Sequence, residues 1–141
     1  MNHSGIKTIL IIDDDAPLAS GMQKLLVRNA YIVHVARNGK AGLAVLEQEP
    51  VDLVITDIFM EEMEGLETIL AVRRKFPGTR VVAMSGGSSV VGLDCLDLAK
   101  TLGAELVLRK PFLFDALADT IQKLELAGGN GARFRSSSRP V

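Results

Sequence analysis

The chain has no tryptophan, one tyrosine and one cysteine, Cys95, among its 141 residues. A single cysteine excludes an internal disulfide and a metal site built from several thiolates, and it is typical of proteins in a reducing compartment. Long hydrophobic runs are also missing, since the apolar stretch 9–12 is far too short for a signal sequence or a membrane span. We therefore expect a cytoplasmic protein that makes no contact with a membrane.

The chain carries no large excess of either charge, with 16 basic and 17 acidic residues and a net charge of −1. The last fifteen residues hold three arginines and no acid, so the first 126 residues hold 17 acids and 13 bases. A protein that binds nucleic acid through the phosphate groups usually has an excess of basic residues. We therefore expect no direct DNA binding.

Five short segments are rich in isoleucine, valine and leucine. Strands of a parallel sheet are buried on both faces, so that they read as continuous apolar runs. These segments predict five strands, over residues 6–12, 31–36, 52–56, 80–84 and 105–109.

Segments with apolar residues at helical spacing follow each of these runs, as in Leu18, Met22, Leu25 and Leu26. Five βα units with right-handed crossovers predict a doubly wound α/β domain, with a five-stranded parallel sheet and helices on both faces. We assign residues 1–5 to a lead-in, 6–126 to the domain, and 127–141 to a disordered tail rich in glycine, arginine and serine. We expect the domain to act alone, through its own surface.

Polar residues follow four of the five predicted strands. Asp13, Asp14 and Asp15 follow the first strand, Asp57 follows the third, Ser85 follows the fourth and Lys110 follows the fifth. In doubly wound sheets, ligands bind beyond the carboxyl ends of the strands. Carboxylates about 4 Å apart repel by roughly 4 kcal/mol per pair at an effective dielectric constant near 20, which one lysine does not cancel. A hard cation such as Mg²⁺ would neutralise this repulsion. A lysine beside such a cation indicates a site for phosphoryl transfer.

These residues and their spacing resemble the receiver domain of two-component response regulators, in particular stand-alone receivers similar to the chemotaxis response regulator. The motifs are Asp13-Asp14 after an apolar strand, Asp57 in Asp-Leu-Val-Ile-Thr-Asp, Ser85 in Val-Val-Ala-Met-Ser-Gly, and Lys110-Pro111-Phe112. Each motif alone is weak, whereas the combination is highly specific. The resemblance implies a flavodoxin-like fold with strand order 2-1-3-4-5 and a cis bond between Lys110 and Pro111.

The resemblance also implies a role for each matching residue. Asp57 accepts a phosphoryl group from a histidine of a sensor histidine kinase or of a histidine phosphotransfer protein. Lys110 pairs with the phosphoryl oxygens, and the Ser85 hydroxyl closes on them. Mg²⁺ is bound by Asp14, by Asp57, by the backbone carbonyl of Phe59, and by Asp13 through a water molecule. Such a domain is a phosphoacceptor that catalyses only its own phosphorylation and dephosphorylation, and it signals to a downstream protein by changing its conformation.

The chain departs from the family pattern at several positions. Glu61 stands where the family usually has proline, and Phe59 and Gly87 occupy positions that in the family help to place the water that removes the phosphoryl group. Neither side chain can hydrogen-bond a water, so we expect slow self-dephosphorylation. Val107 replaces an aromatic residue that commonly changes rotamer, so we expect the glycine-rich segment 86–92 to be the mobile element instead.

Other interpretations stay open from the sequence. Asp13 to Asp15 could simply cap the first helix. The fold could also belong to a Mg²⁺-dependent phosphohydrolase with an aspartyl-phosphate intermediate, although the residues after Asp57 and Asp13 fit that class poorly. A flavodoxin-like FMN domain is a third possibility, but three aspartates in the first loop would repel the phosphate of FMN. A receiver that binds its partner regardless of phosphorylation is the fourth.

Overall fold

Strands and helices alternate along the chain in the computed structural model, which describes residues 5–58, 65–85 and 95–131. The strands are β1 (Thr8–Ile12), β2 (Ile32–Ala36), β3 (Leu53–Asp57), β4 (Arg80–Ser85) and β5 (Leu106–Arg109). The helices are α1 (Ala16–Arg28), α2 (Gly39–Gln48), α3 (Gly65–Lys75), α4 (Cys95–Leu102) and α5 (Phe114–Gly131). This order confirms the predicted succession of five βα units.

The five strands form one parallel sheet in the order β2-β1-β3-β4-β5, as the resemblance implied. Within it, Ile12 pairs with Thr56, Asp57 with Met84, and Ser85 with Arg109. The carboxyl ends of β1, β3, β4 and β5 therefore lie side by side along one edge of the sheet.

Alternate residues of the central strands β1, β3 and β4 are buried against opposite helical layers, whereas Ile32 and Val35 of the edge strand β2 are exposed, unlike the predicted burial on both faces. Ile9 and Ile11 of β1 face the layer of α1 and α5, whereas Leu10 and Ile12 face the layer of α2, α3 and α4. All four side chains have no exposed surface. Such burial of both faces stabilises a central strand by roughly 2 kcal/mol for each large aliphatic side chain, so β1 is firmly held between the two layers.

Side chains cap the first two helices at their amino ends. The Asp15 carboxylate accepts a hydrogen bond from Leu18 N–H at 3.1 Å, and the Asn38 side chain accepts one from Ala41 N–H at 2.8 Å. Proline lies in the first turn of α1, where its missing N–H costs nothing. At the other end of α1, Ala30 has a φ of 73°, a left-handed conformation that usually belongs to glycine at this position.

α5 continues to Gly131, five residues beyond the predicted end of the domain at residue 126. Leu117, Ile121 and Leu124 are buried against the sheet, and a helix held along that face can extend into glycines whose intrinsic helix propensity is poor. Within the described residues, no helix is long and apolar enough to cross a bilayer.

Candidate functional site

Three carboxylates meet at the carboxyl edge of the sheet. One oxygen from each of Asp13, Asp14 and Asp57 lies within 4.8 Å of the others. Asp13 directly follows β1, and Asp57 is the last residue of β3, the strand that pairs with β1. Asp13 and Asp57 are buried, with 2% and 6% of their surface exposed, whereas Asp14 faces solvent. The structure thus brings together the acids that the sequence placed at two separate strand ends.

Lys110 joins two of these acids from the end of β5. Its ammonium Nζ donates to Asp13 Oδ2 at 2.8 Å and to Asp57 Oδ2 at 3.2 Å. Burial lowers the pKa of Lys110, but the hydrogen bond and charge of Asp13, together with those of Asp57, outweigh burial and raise it above its ordinary value. Lys110 is therefore a cation held inside the acidic pocket.

Main-chain contacts fix the position of Asp57. Ile58 N–H donates to Met84 O at 2.9 Å, and Gly65 N–H donates to Ile58 O at 2.6 Å, which ties the start of α3 to the end of β3. A Cβ atom on Gly65 would collide with the carbonyl oxygen of Asp57 and with the Cα of Ile58. Gly65 is required here because the backbone of α3 approaches β3 this closely.

The three consecutive aspartates after β1 have different contacts. Asp13 Oδ2 meets Lys110, while its Oδ1 accepts a hydrogen bond from Asp15 N–H at 2.9 Å. Asp15 caps α1 and is not among the three clustered acids. Helix capping therefore accounts for Asp15 but not for Asp13 or Asp14.

Ser85 ends β4 with 1% of its surface exposed, and its carbonyl oxygen accepts the Lys110 N–H at 2.8 Å. The Lys110-Pro111 bond is cis, as the resemblance implied. Phe59, Glu61, Gly87 and the segment 86–92 lie outside the described residues. Sequence reasoning missed the contacts of Lys110 N–H and Asp15 N–H, because every residue except proline has a backbone N–H and the sequence does not show where it points.

The composition of this pocket suits Mg²⁺. Three carboxylates and one ammonium leave two negative charges, which one divalent cation neutralises. Mg²⁺ prefers oxygen ligands at about 2.1 Å, so two ligands on opposite sides of it lie about 4.2 Å apart. The carboxylate oxygens all lie within 4.8 Å of one another, which is compatible with one small cation between them.

A doubly wound sheet with an acidic pocket and a lysine at its carboxyl edge defines a class of phosphoryl-accepting signalling domains. The family model of the response regulator receiver domain matches residues 9–122. The chain therefore belongs to the response regulator receiver domain family of two-component systems. Receiver domains of this family bind Mg²⁺ at an acidic pocket.

Curated relatives carry the same domain within longer proteins. The transcriptional regulatory protein ZraR of Escherichia coli strain K12 is 35% identical over 123 residues, which cover 87% of this chain and 27% of that protein. The transcriptional regulatory protein GlrR of the same strain is 34% identical over 113 residues, which cover 80% of this chain and 25% of that protein. This chain thus spans about a quarter of the length of these relatives.

Solved structures share the fold over nearly their whole length. A CheY-like response regulator receiver domain protein of Methanospirillum hungatei JF-1 superimposes with a TM-score of 0.78 at 27% identity, covering 86% of this chain and 95% of that chain. The response regulator TrrA of Thermotoga maritima, in complex with Mg²⁺ and BeF, gives a TM-score of 0.73 at 28% identity, covering 84% and 99%.

Proposed function

We propose that this domain accepts a phosphoryl group on Asp57 in a Mg²⁺-dependent reaction and signals by a change of conformation. The observation that carries the proposal is the contact of the Lys110 ammonium with Asp57 inside a cluster of three carboxylates. A cation and a fixed ammonium on either side of a carboxylate would stabilise the charge of a phosphoryl group in transfer.

In the proposed reaction, an oxygen of Asp57 attacks the phosphorus of a phosphohistidine on a partner. The new O–P bond forms as the N–P bond breaks, and the imidazole nitrogen keeps the electron pair and takes up a proton. When bound, Mg²⁺ would neutralise charge on the phosphoryl oxygens. The ion would be held by Asp14, by Asp57, by the backbone carbonyl of Phe59, and by Asp13 through water. Lys110 would pair with the same oxygens, and Ser85 would donate its hydroxyl to them after transfer.

The phosphodonor partner would be a sensor histidine kinase or a histidine phosphotransfer protein, and the output a downstream protein target. Cytoplasmic location and the absence of direct DNA contact stay predictions. The domain would catalyse only its own phosphorylation and dephosphorylation. We also propose that the phosphorylated domain loses its phosphoryl group slowly, since Phe59 and Gly87 have no side-chain group to orient a water.

Acetyl phosphate, MgCl₂ and intact-mass measurement test this proposal. The wild type should gain one phosphoryl group, and the gain should disappear in Asp57→Asn and in excess EDTA. Asp119→Asn is the matched control, because it neutralises an exposed acid on α5 that is not among the clustered acids. A phosphoryl group that persists in Asp57→Asn, or that forms equally in EDTA, would show that the acceptor or the metal requirement is wrong.

The alternatives predict different results in simple assays. An FMN domain would purify as a yellow protein, and a phosphohydrolase would turn over a small phosphate ester. If the receiver binds its partner constitutively, the wild type and Asp57→Asn would form the same complexes. Radiolabel decay with Mg²⁺ and without a phosphatase measures the lifetime, and a half-life of seconds would contradict slow dephosphorylation.

A further inference from the structure

The three aspartates that follow β1 fall into two groups. Asp13 and Asp14 contribute to the carboxylate cluster. Asp15 is exposed and turns to the first helix, where its Oδ1 accepts the Leu18 N–H at 3.1 Å. Its backbone is extended, with φ of −83° and ψ of 93°, as expected for the residue that precedes a helix.

The backbone of Asp15 contacts the cluster while its side chain contacts the helix. Asp15 N–H donates to Asp13 Oδ1 at 2.9 Å, which leaves Asp13 Oδ2 directed at Lys110. The direction of an N–H group follows from the backbone dihedral angles on either side of it. Because the side-chain cap holds those angles at the start of α1, it also holds the N–H that orients Asp13.

We propose that Asp15 is a positioning residue for the metal pocket, and that it acts through its hydrogen-bonding oxygen rather than through its charge. The proposal rests on the proposed function, since it assumes that Asp13, Asp14 and Asp57 bind a cation. With the cap in place, Asp13 and Asp14 leave β1 at a fixed angle. Without the cap, the first turn of α1 frays and the orientation of Asp13 becomes variable, so the pocket loses affinity for Mg²⁺.

Two substitutions separate the oxygen from the charge. Asp15→Asn keeps an oxygen that can accept the Leu18 N–H, but removes the negative charge. Asp15→Ala removes both. The matched control is Asn38→Ala, which removes the corresponding cap of α2, where the accepted N–H belongs to Ala41. Asn38→Ala should lower stability by an amount similar to Asp15→Ala, because the same kind of cap is lost.

Titration of each ¹⁵N-labelled protein with MgCl₂, followed by amide chemical shifts, gives the Kd of the cation. We expect Asp15→Ala to raise the Kd about threefold to tenfold, below the loss of tenfold or more that removal of a direct partner of a metal ligand often causes. Asp15→Asn should stay within about twofold of wild type, because solvent and salt screen an exposed charge. Asn38→Ala should leave the Kd unchanged.

Three results would overturn the proposal: an unchanged Kd in Asp15→Ala, an equal loss in Asp15→Asn, or an equal loss in Asn38→Ala. If Asp15→Ala does not fold, Asp15→Gly replaces it, since glycine is tolerated as a cap but offers no acceptor. Asp14→Asn serves as the reference for the metal site itself. If wild type binds Mg²⁺ no better than Asp14→Asn, the proposed metal site is wrong, which is a different outcome from an unaltered Kd in Asp15→Ala.

Discussion

Replacing Asp14 with asparagine should stabilise the metal-free domain and abolish its response to Mg²⁺. Asp14 is the exposed member of the cluster, with its oxygen within 4.8 Å of oxygens of both Asp13 and Asp57. Lys110 donates to the other two acids. The substitution therefore removes two repulsions without breaking either contact of the lysine.

The size of the effect follows from Coulomb's law. At 4.8 Å, the upper limit of these separations, two unit charges repel by roughly 0.9 kcal/mol at the dielectric constant of water and by roughly 3.5 kcal/mol at a dielectric constant of 20. The exposure of Asp14 favours the lower value, so two pairs give about 2 kcal/mol, and an attraction of similar size to the nearby Lys110 would reduce this to about 1 kcal/mol. In a domain of this size the melting temperature should rise by roughly 3–6 °C.

Urea denaturation in EDTA measures this gain, since urea adds no salt that would screen the charges. Mg²⁺ at ten times its Kd should stabilise the wild type by about 1.4 kcal/mol and should have no effect on Asp14→Asn. The control is Glu47→Gln, an exposed acid on α2 outside the cluster, which should change stability by less than about 0.5 kcal/mol. An Asp14→Asn variant no more stable than wild type in EDTA would refute the reasoning.

Three further predictions concern the backbone and the single tyrosine. Gly65→Ala should lower the free energy of unfolding, measured by urea denaturation, by about 2–4 kcal/mol, because the new Cβ would collide with the backbone at Asp57 and Ile58. The control is Gly78→Ala, which should be close to neutral because a Cβ there has nothing within 4 Å. Ala30→Gly should raise that free energy by about 0.5–1 kcal/mol by relieving the left-handed φ of 73°, and a loss would contradict this. Burial, the charge of Glu125 and the hydrogen bond that the Tyr31 hydroxyl donates to the Glu125 carboxylate raise the pKa of Tyr31. Absorbance at 295 nm should therefore titrate well above pH 10 in the native protein and at lower pH in Glu125→Gln. Because the folded pKa is the higher one, the associated stability is complete below about pH 10 and is lost as the pH rises through the folded value.

The strands could be predicted to within two residues, and the differences have physical causes. Ile6 is fully buried but precedes β1, since a residue can enter the core without joining the hydrogen-bonded ladder. Asp57 and Ser85 extend β3 and β4 by one residue beyond the predicted ends. Apolar patterns stop at the first polar residue, whereas the ladder continues because backbone pairing does not depend on the side chain.

The site could be predicted as a set of residues but not as a geometry. Parallel strands bring their carboxyl ends together, which is why residues as far apart in sequence as Asp13 and Lys110 could be assigned to one pocket. The sequence of three consecutive aspartates does not indicate which of them caps the helix. That choice depends on the dihedral angles of the turn after β1, where Asp15 has φ of −83° and ψ of 93° and its side chain accepts the Leu18 N–H.

The burial of the strands explains how the fold tolerates a cluster of like charges. The repulsion among the three acids would be relieved if the ends of β1 and β3 moved apart. Residues Ile9–Ile12 and Leu53–Ile55 have no exposed side-chain surface, and packing at both faces resists such movement because it would open voids in the core. Charges that cannot separate are instead neutralised by a bound cation or by an ammonium held between them, so the energy of the repulsion becomes affinity for Mg²⁺. This coupling is the reason that Asp14→Asn should gain stability and lose the metal response through one and the same change.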